Sequence, residues 1–414
     1  MIPKIENIIA RQIIDSRAVP TIEVDLVLDN GAFGRAAAPS GASTGGEEAK
    51  EKRDMDPDRY RGLSVSNAIY NVEGKILPHL AGKRFIQEEL DQTLIEIDGT
   101  ADKSNLGANA ILAVSLAFSK ALAYNAGLPL HLYLGDMFSE YEEMPRPMFN
   151  IINGGVHANN GLSFQEFLIV PQGATFEEDM RCGVEIYHSL KDLLKENGLG
   201  TSVGDEGGFA PALNDNEDAL KIIREAAQNA GYEAGTDYRF ALDIAANEIM
   251  DGNKYLYNGK FLKKETYISK LTDIINEFPF LSIEDPFDEK DTEGFIELNR
   301  LIGKDVLIIG DDYLVTNPGK IKIAAEEKAV GGVIIKPNQI GTVTETLNAT
   351  LAAMSNRLIT VFSHRSGETE DTGISHLAVA SRAPLVKFGA PARGERTSKY
   401  NELLRIEEDM EMIL

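Results

Sequence analysis

The 414-residue chain contains a single cysteine, Cys182, and no apolar run that approaches the ~20 residues of a membrane-spanning helix. One cysteine excludes an intramolecular disulfide and is typical of a reducing compartment. The first residues, Met1-Ile2-Pro3-Lys4, do not resemble a signal peptide. We therefore expect a cytoplasmic globular protein that does not insert into membranes.

Basic residues are scarce as well. The sequence has 41 Lys and Arg residues against 65 Asp and Glu residues, which gives a formal net charge of −24. A field of that sign repels the phosphates of nucleic acids, so no direct nucleic-acid partner is expected. An anionic substrate must instead bind to basic side chains that the fold brings together in one site.

Residues 1–138 predict a smaller N-terminal α+β domain. Residues 21–28 alternate with the period of a strand, and Asp29-Asn30-Gly31 is a hairpin signal. Apolar residues then recur at helical spacing in residues 65–80, 85–97 and 108–126. Strands followed by helices are typical of an α+β domain, and Pro145-Arg146-Pro147 indicates where it ends.

Residues 145–414 predict an α/β domain built on a parallel sheet. Near-continuous apolar runs alternate with amphipathic helical stretches, which is the pattern of buried strands covered on both faces. The runs are residues 167–170, 240–244, 280–283, 306–309, 332–335, 358–362 and 385–388. The length of this part is close to the ~250 residues of a (β/α)₈ barrel. We therefore expect a TIM-like barrel that carries the site.

Charged residues stand at the ends of successive apolar runs, where a barrel enzyme assembles its active site. Asp243, Glu284 and Asp311 lie 41 and 27 residues apart, about one strand–helix unit each. Their carboxylates would meet at one rim and repel one another unless a cation neutralised them. All-oxygen ligands favour Mg²⁺, although pairing of each carboxylate with a neighbouring Lys or Arg explains the spacing equally well.

Other polar groups follow the same runs. Lys336 directly follows one of them and Lys387 lies within another. A lysine beside a metal and another cation has a lowered pKa, which makes it a candidate base. Charge pairing with the carboxylates is the alternative. His364-Arg365-Ser366 offers a cation fork and a hydroxyl that suit a phosphate. Three more candidates, Glu166, Glu206 and His157, come from earlier loops.

Eight segments in this order resemble the enolase family over nearly the whole chain. They are SGASTG at Ser40, GANAILAVSLA at Gly107, FQEF at Phe164, VGDEGGFAP at Val203, IEDPF at Ile283, IKPNQIGT at Ile335, SHRSGETEDT at Ser363 and GAPARGER at Gly389. The resemblance implies an N-terminal α+β domain that caps a (β/α)₈ barrel opening with an antiparallel strand pair. It also implies the reversible, Mg²⁺-dependent dehydration of 2-phosphoglycerate to phosphoenolpyruvate in glycolysis and gluconeogenesis.

The resemblance further implies a role for each candidate residue. Asp243, Glu284 and Asp311 would hold one Mg²⁺, and a second would arrive with the substrate and bind Ser43. Lys336 would be the base, with Glu206 and Glu166 acting on the leaving hydroxyl and Glu206 as the neutral acid. The remaining implied residues are His157 and Gln165 beside the substrate, His364 near a closing loop of residues 40–46, Arg365 and Ser366 on the phosphate, Lys387 on the carboxylate, and Ala42.

One departure concerns assembly. Ala18-Val19 stand where the family usually has Gly-Asn, in a strand region that helps to form its dimer. By resemblance, a homodimer, alone or within an octamer, would pair Glu23 with Arg405 and Arg11 with Glu408. Two alternatives stay open. One is a related barrel enzyme that abstracts a proton from another acid, and the other is a scaffold or surface-binding protein with the same fold.

Overall fold

A computed structural model describes residues 2–42, 45–135, 143–158 and 160–413. Three antiparallel strands open the chain and five helices follow. They are β1 (Ile5–Ile14), β2 (Pro20–Leu28), β3 (Phe33–Ala37), α1 (Ser66–Tyr70), α2 (Leu77–Leu80), α3 (Gln87–Asp98), α4 (Ala108–Ala126) and α5 (Leu130–Gly135), with a π-helical stretch, Asn71–Ile76, between α1 and α2. This order agrees with the predicted α+β organisation.

Helix α4 packs against the three-stranded sheet and is buried over most of its length. Nine of its nineteen residues are Ala or Ser. The helix lies so close to the sheet that a Cβ at Gly34 of β3 would be 2.0 Å from the Ala117 carbonyl oxygen. Only glycine permits this approach. The apolar face of α4 and the inner face of the sheet thus form the core of the N-terminal domain.

The second part alternates strands and helices. Its elements are β4 (Arg146–Pro147), β5 (Phe149–Asn153), β6 (Glu166–Pro171), α6 (Phe176–Glu196), α7 (Asn216–Asn229), β7 (Tyr238–Asp243), β8 (Met250–Asp251), β9 (Lys254–Tyr257), β10 (Lys260–Lys263), α8 (Lys264–Glu277), β11 (Phe280–Glu284), α9 (Thr292–Ile302), β12 (Leu307–Gly310), α10 (Pro318–Glu326), β13 (Gly332–Ile335), α11 (Pro337–Ile340), α12 (Val343–Ser355), β14 (Ile359–Ser363), α13 (Gly373–Ala380), β15 (Leu385–Lys387) and α14 (Gly394–Ile413).

Nine of these strand segments form one sheet in the order β4-β15-β14-β13-β12-β11-β7-β6-β5. Only Met148 separates β4 from β5, so the two ends of the sheet belong to one interrupted strand and the sheet closes into an eight-stranded barrel. Apolar side chains that include Met148, Leu168, Ile309 and Val361 fill its interior. The predicted (β/α)₈ barrel preceded by an α+β domain is confirmed.

Strand β6 runs antiparallel to both of its neighbours, whereas β7 and β11 to β15 pair in parallel. Strands β8, β9 and β10 form a separate antiparallel sheet. Because β6 is reversed, its first residue lies at the rim where β7 ends. Glu166 is in register with Asp243. The antiparallel start of the barrel therefore brings one more carboxylate to the rim that collects the strand-end residues.

The N-terminal domain contacts the barrel near that rim. Ser40 and Gly367 exchange backbone hydrogen bonds of 2.8 and 2.9 Å. Lys120 pairs with Asp371 at 2.8 Å, which ties α4 to the segment before α13. The predicted boundary between residues 138 and 145 lies mostly outside the described residues and stays a prediction. Among the residues described, no helix combines the length and apolarity needed to cross a bilayer.

Candidate active site

The strand-end residues line one cavity at the rim of the barrel. Asp243 ends β7 and Lys387 ends β15, while Asp311 and Lys336 directly follow β12 and β13. The cavity lining is His157, Gln165, Glu166, Glu206, Asp243, Ala245, Asp285, Asp311, Asp312, Lys336, Ser363, His364, Arg365, Ser366 and Lys387. Most of the predicted site residues are therefore brought together.

Lys387 is the central cation of the cavity. Its Nζ lies 2.9 Å from Asp243 Oδ2, 2.8 Å from both carboxylate oxygens of Glu284 and 3.6 Å from Glu166 Oε2. Burial acts to lower the pKa of Lys387, but Asp243, Glu166 and Glu284 raise it well above its usual range. Lys387 is consequently protonated and balances part of the negative charge around it.

Lys336 is paired with Asp311 by a direct ion-pair contact between Nζ and Oδ2. Burial lowers the pKa of Lys336, but Asp311 outweighs it and the net shift is upward. The sequence predicted a lowered pKa for a lysine beside a metal, and that stays a prediction; among the protein's own groups, Asp311 raises the pKa. The second oxygen of Asp311 accepts a 3.0 Å hydrogen bond from Gln339 Nε2.

Carboxylates outnumber cations on this side of the cavity. Single oxygens of Asp285, Asp311 and Asp312 lie within 4.8 Å of one another, as in a metal-binding cluster. Burial and the neighbouring Asp311 raise the pKa of Asp312 to about 7. Burial and Asp243 also raise the pKa of Glu284. Such crowding of buried carboxylates is compatible with a divalent metal site.

The predicted ligand trio is divided between the two lysines. Of Asp243, Glu284 and Asp311, only Asp311 belongs to this cluster, while the other two accept hydrogen bonds from Lys387. The lysine pairing that the sequence left open is therefore present. The fourth predicted ligand, Ser43, lies outside the described residues.

A second acidic pair occupies the other side of the cavity. Glu206 accepts a 3.1 Å hydrogen bond from Asn150, and its carboxylate lies 3.4 Å from His364 Nε2 and 3.8 Å from His157 Nδ1. Burial raises the pKa of Glu206, but His364 and His157 lower it well below its usual range. Oε2 of the neighbouring Glu166 has no hydrogen-bond partner among the described residues.

Burial and the adjacent Glu206 raise the pKa of Glu166 well above its usual range. The opposite directions of these two shifts favour a proton on Glu166, whereas the sequence analysis placed it on Glu206, and the assignment of the acid stays a prediction. The reason is local: Glu206 is surrounded by polar donors, whereas Glu166 faces Glu206, Asp243 and Glu284 with Lys387 3.6 Å away.

Arg365 and Ser366 contact the N-terminal domain. The guanidinium of Arg365 donates to both oxygens of Glu48, at 2.9 and 3.2 Å. Ser366 Oγ accepts a 2.8 Å hydrogen bond from the backbone N–H of Ala42. The segment that contains Ala42 therefore reaches the residues that the sequence analysis assigned to phosphate.

Sequence reasoning missed several residues of the site. Asp285 and Asp312 directly follow two predicted ligands, and this adjacency was an available signal. Glu48, Gln339 and Arg396 carried no such signal, because each reaches the cavity only through tertiary contacts.

Two protein-family models match the chain and together cover nearly all of it. Residues 5–134 match the enolase N-terminal domain. Residues 141–413 match the enolase C-terminal TIM barrel domain. The second match alone spans well over half of the chain and contains all the cavity-lining residues.

Proposed function

The chain belongs to the enolase family, and from that premise we propose that it catalyses the reversible Mg²⁺-dependent dehydration of 2-phosphoglycerate to phosphoenolpyruvate. Family membership makes it a lyase-type enzyme that acts on a small acid. The observation that carries the specific proposal is one cavity with three cations, Lys336, Lys387 and Arg365, and the buried carboxyl pair of Glu166 and Glu206. We propose a role in glycolysis and gluconeogenesis and a cytoplasmic location.

The residues of the cavity fit a divalent cation. Asp243, Glu284 and Asp311 offer only oxygen donors, and burial together with the neighbouring Asp243 raises the pKa of Glu284, which a bound cation would oppose. We propose that these three hold one Mg²⁺ and that a second binds the substrate phosphate and Ser43. When bound, the metal would supply positive charge where the enolate of the substrate develops.

Lys336 is the proposed base that removes the proton from C2. It accepts a proton only in its neutral form, so its pKa must fall below the value that Asp311 imposes. Arg365 and Lys387 already act in that direction. The carbon acid is adjacent to a carboxylate, and Lys387 is the proposed partner of that carboxylate.

Glu166 and Glu206 are proposed to act on the leaving hydroxyl. Hydroxide leaves readily only if it takes up a proton, which makes water. The raised pKa of Glu166 supports its role as the proton donor, and the lowered pKa of Glu206 supports a role in orienting the hydroxyl. His157 and Gln165 line the same part of the cavity.

Arg365 and Ser366 are proposed to bind the phosphate, since a guanidinium and a hydroxyl match its oxygens. The contact between Ala42 and Ser366 supports a closing role for residues 40–46. Closure of such a loop would exclude water from the intermediate. His364 is buried between this region and Glu206, which supports a role near the leaving group.

The test is the Mg²⁺-dependent appearance of phosphoenolpyruvate from 2-phosphoglycerate, followed by ultraviolet absorbance. We expect turnover in the metal-loaded protein, its loss with a chelator and its return when Mg²⁺ is added back. A folded, metal-loaded protein that leaves 2-phosphoglycerate unchanged would contradict the proposal. Turnover of a different acid would then assign the chain to another reaction of the family.

We also propose that the chain forms a homodimer, alone or as the unit of an octamer. The outer face of the sheet β1–β2–β3 supports this, because Ile9 and Phe33 are 44% and 40% exposed on it. The absence of a direct nucleic-acid partner stays a prediction, which rests on the net charge of −24.

A further inference from the structure

Arg396 is the largest side chain with no exposed surface. It lies in the first turn of α14, and its guanidinium connects two loops of the cavity. Nη2 donates to the carbonyl oxygens of Asp205 and Ser366, at 3.0 and 2.6 Å. Nη1 donates to the carbonyl oxygen of Arg365 at 2.6 Å. One buried cation thereby joins the backbone beside Glu206 to the backbone beside His364.

The same Nη1 lies 2.7 Å from Nδ1 of His364. A guanidinium can only donate hydrogen bonds, and it does not deprotonate in proteins. Nδ1 of His364 must therefore accept, so it carries no hydrogen. A neutral imidazole then has its hydrogen on Nε2, the atom that lies 3.4 Å from Glu206 Oε2.

The packing around His364 leaves the ring little freedom to turn away. A Cβ at Gly389 would lie 2.9 Å from His364 Cε1, 2.8 Å from the carbonyl oxygen of Glu206 and 3.0 Å from Arg396 Cδ. Gly389 thus permits the ring, the Glu206 backbone and the arginine to pack at one point. The backbone N–H of His364 is also bonded to the Lys387 carbonyl oxygen at 2.9 Å.

We propose that Arg396 is a positioning residue that fixes His364 as the neutral Nε2–H tautomer and directs that N–H at Glu206. His364 then presents an N–H to the Glu206 carboxylate, 3.4 Å away, and does not itself supply a proton. The tautomer follows from the contacts alone. Its consequence for turnover rests on the proposed function, in which Glu206 orients the leaving hydroxyl.

The charged neighbours of His364 support its neutral state. Burial and the Arg396 cation lower the pKa of His364, while Glu206 and Glu368 act to raise it, and the net pKa is about 4. A histidine with a lowered pKa is neutral above that value. The ring is therefore expected to remain uncharged, with one tautomer, from pH 9 down to about pH 5.

The direct test is long-range ¹H–¹⁵N NMR of the protein with ¹⁵N-labelled histidine, with His364→Asn used to assign the signal. We expect a protonated Nε2 and an unprotonated Nδ1 that do not change between pH 5.5 and 9. A hydrogen on Nδ1, or an imidazolium near pH 7, overturns the proposal. This result is independent of 2-phosphoglycerate turnover, so failure of the proposed function and failure of the positioning role are distinguishable.

Arg396→Met removes the hydrogen-bond donors but keeps a long, unbranched side chain. Arg396→Lys instead keeps a cation that can only donate hydrogen bonds. We expect the His364 ring of the Met variant to populate both tautomers. We also expect its kcat to fall roughly 10- to 100-fold with a much smaller change in KM, because the substitution disturbs the alignment of the acid–base groups. Arg396→Lys is expected to recover the Nε2–H tautomer. The control is Arg393→Met, whose side chain is about one-third exposed and pairs with Glu395.

Two outcomes contradict the role of Arg396. A folded Arg396→Met protein with the wild-type tautomer would show that other contacts set it. Loss of activity with an unchanged tautomer and an unchanged pH profile would show that Arg396 only supports the fold. If the Met variant does not fold, Arg396→Lys decides, because a hydrogen on Nδ1 in that variant overturns the donor-only argument.

Discussion

Glu48 is a single buried carboxylate that connects three parts of the catalytic rim. It accepts hydrogen bonds from the backbone N–H of Gly45 at 2.9 Å, from Gln339 Nε2 at 3.2 Å and from both terminal nitrogens of Arg365. Gln339 in turn donates to Asp311. The chain segment after the 40–46 loop is thereby coupled to the proposed phosphate arginine and to a proposed metal ligand.

Replacing Glu48 with Gln should lower the free energy of unfolding by roughly 2 to 4 kcal/mol, since it removes the carboxylate that acts most strongly on the buried guanidinium of Arg365. Inorganic phosphate should then raise the melting temperature more in Glu48→Gln than in the wild type, because the anion replaces the lost charge. The measurement is thermal unfolding with and without phosphate.

The matched control is Glu47→Gln, since the Glu47 side chain is 69% exposed and pairs with Lys320 at the surface. It should change the stability by less than about 0.5 kcal/mol. Equal effects of the two substitutions would contradict the role given to Glu48.

Among the individual site residues, the sequence predicted those whose position follows from the order of the strands. Asp243, Asp311, Lys336 and Lys387 stand at strand ends, so the barrel pattern alone places them at one rim. Glu48 and Arg396 could not be found this way, because their partners lie about 30 to over 300 positions away in sequence. The protonation order of Glu166 and Glu206 depends on neighbouring donors that a linear pattern does not reveal.

Among the elements, the sheet β1–β2–β3 presents an unusual outer face. Arg11 of β1 pairs with Glu23 and Asp25 of β2, and Arg35 of β3 pairs with Asp25. Asp25 has its pKa lowered to about 2, first by the Arg35 hydrogen bond and also by Arg11. Ile9 and Phe33 lie exposed on either side of this network.

This face is where we expect the homodimer to form. Ile9→Lys should convert a wild-type dimer to a monomer and leave the melting temperature of the isolated subunit nearly unchanged, because Ile9 is exposed within one chain. The measurement is the mass in solution by sedimentation or light scattering.

Ile323→Lys is the control, since Ile323 is similarly exposed, at 56%, on helix α10 of the barrel. A wild-type protein that is only monomeric would contradict the dimer. So would a dimer that tolerates Ile9→Lys as well as Ile323→Lys. Within one chain Arg405 pairs with Glu402, so the predicted Glu23–Arg405 contact would require Arg405 to exchange partners.

Element order was the most predictable level of the fold. Alternation with period two predicted β2, and repeated apolar runs predicted the barrel strands. Periodicity did not predict two features: the first barrel strand is interrupted at Met148, and β6 runs antiparallel, which only the family resemblance implied. Both depend on how the sheet closes, which periodicity in one strand cannot indicate.

Across the whole molecule, charge is distributed unevenly. The net charge is −24, yet the cavity collects Lys336, Lys387 and Arg365 within a few ångströms of the buried carboxylates. A surface that repels anions thus contains one place suited to bind a small one. The barrel supplies the strand ends, and the N-terminal domain supplies Glu48 and Ala42.

The central claim is that Lys336 removes the C2 proton and that the Glu166–Glu206 pair acts on the leaving hydroxyl. One experiment distinguishes these two steps. It measures the exchange of the C2 hydrogen of 2-phosphoglycerate in deuterated water and, in the same samples, the formation of phosphoenolpyruvate. We predict that Lys336→Ala loses both by about 100-fold or more, whereas Glu206→Gln keeps exchange and loses dehydration. Lys320→Ala, at the surface, should retain both, and undiminished C2 exchange in Lys336→Ala would contradict the account.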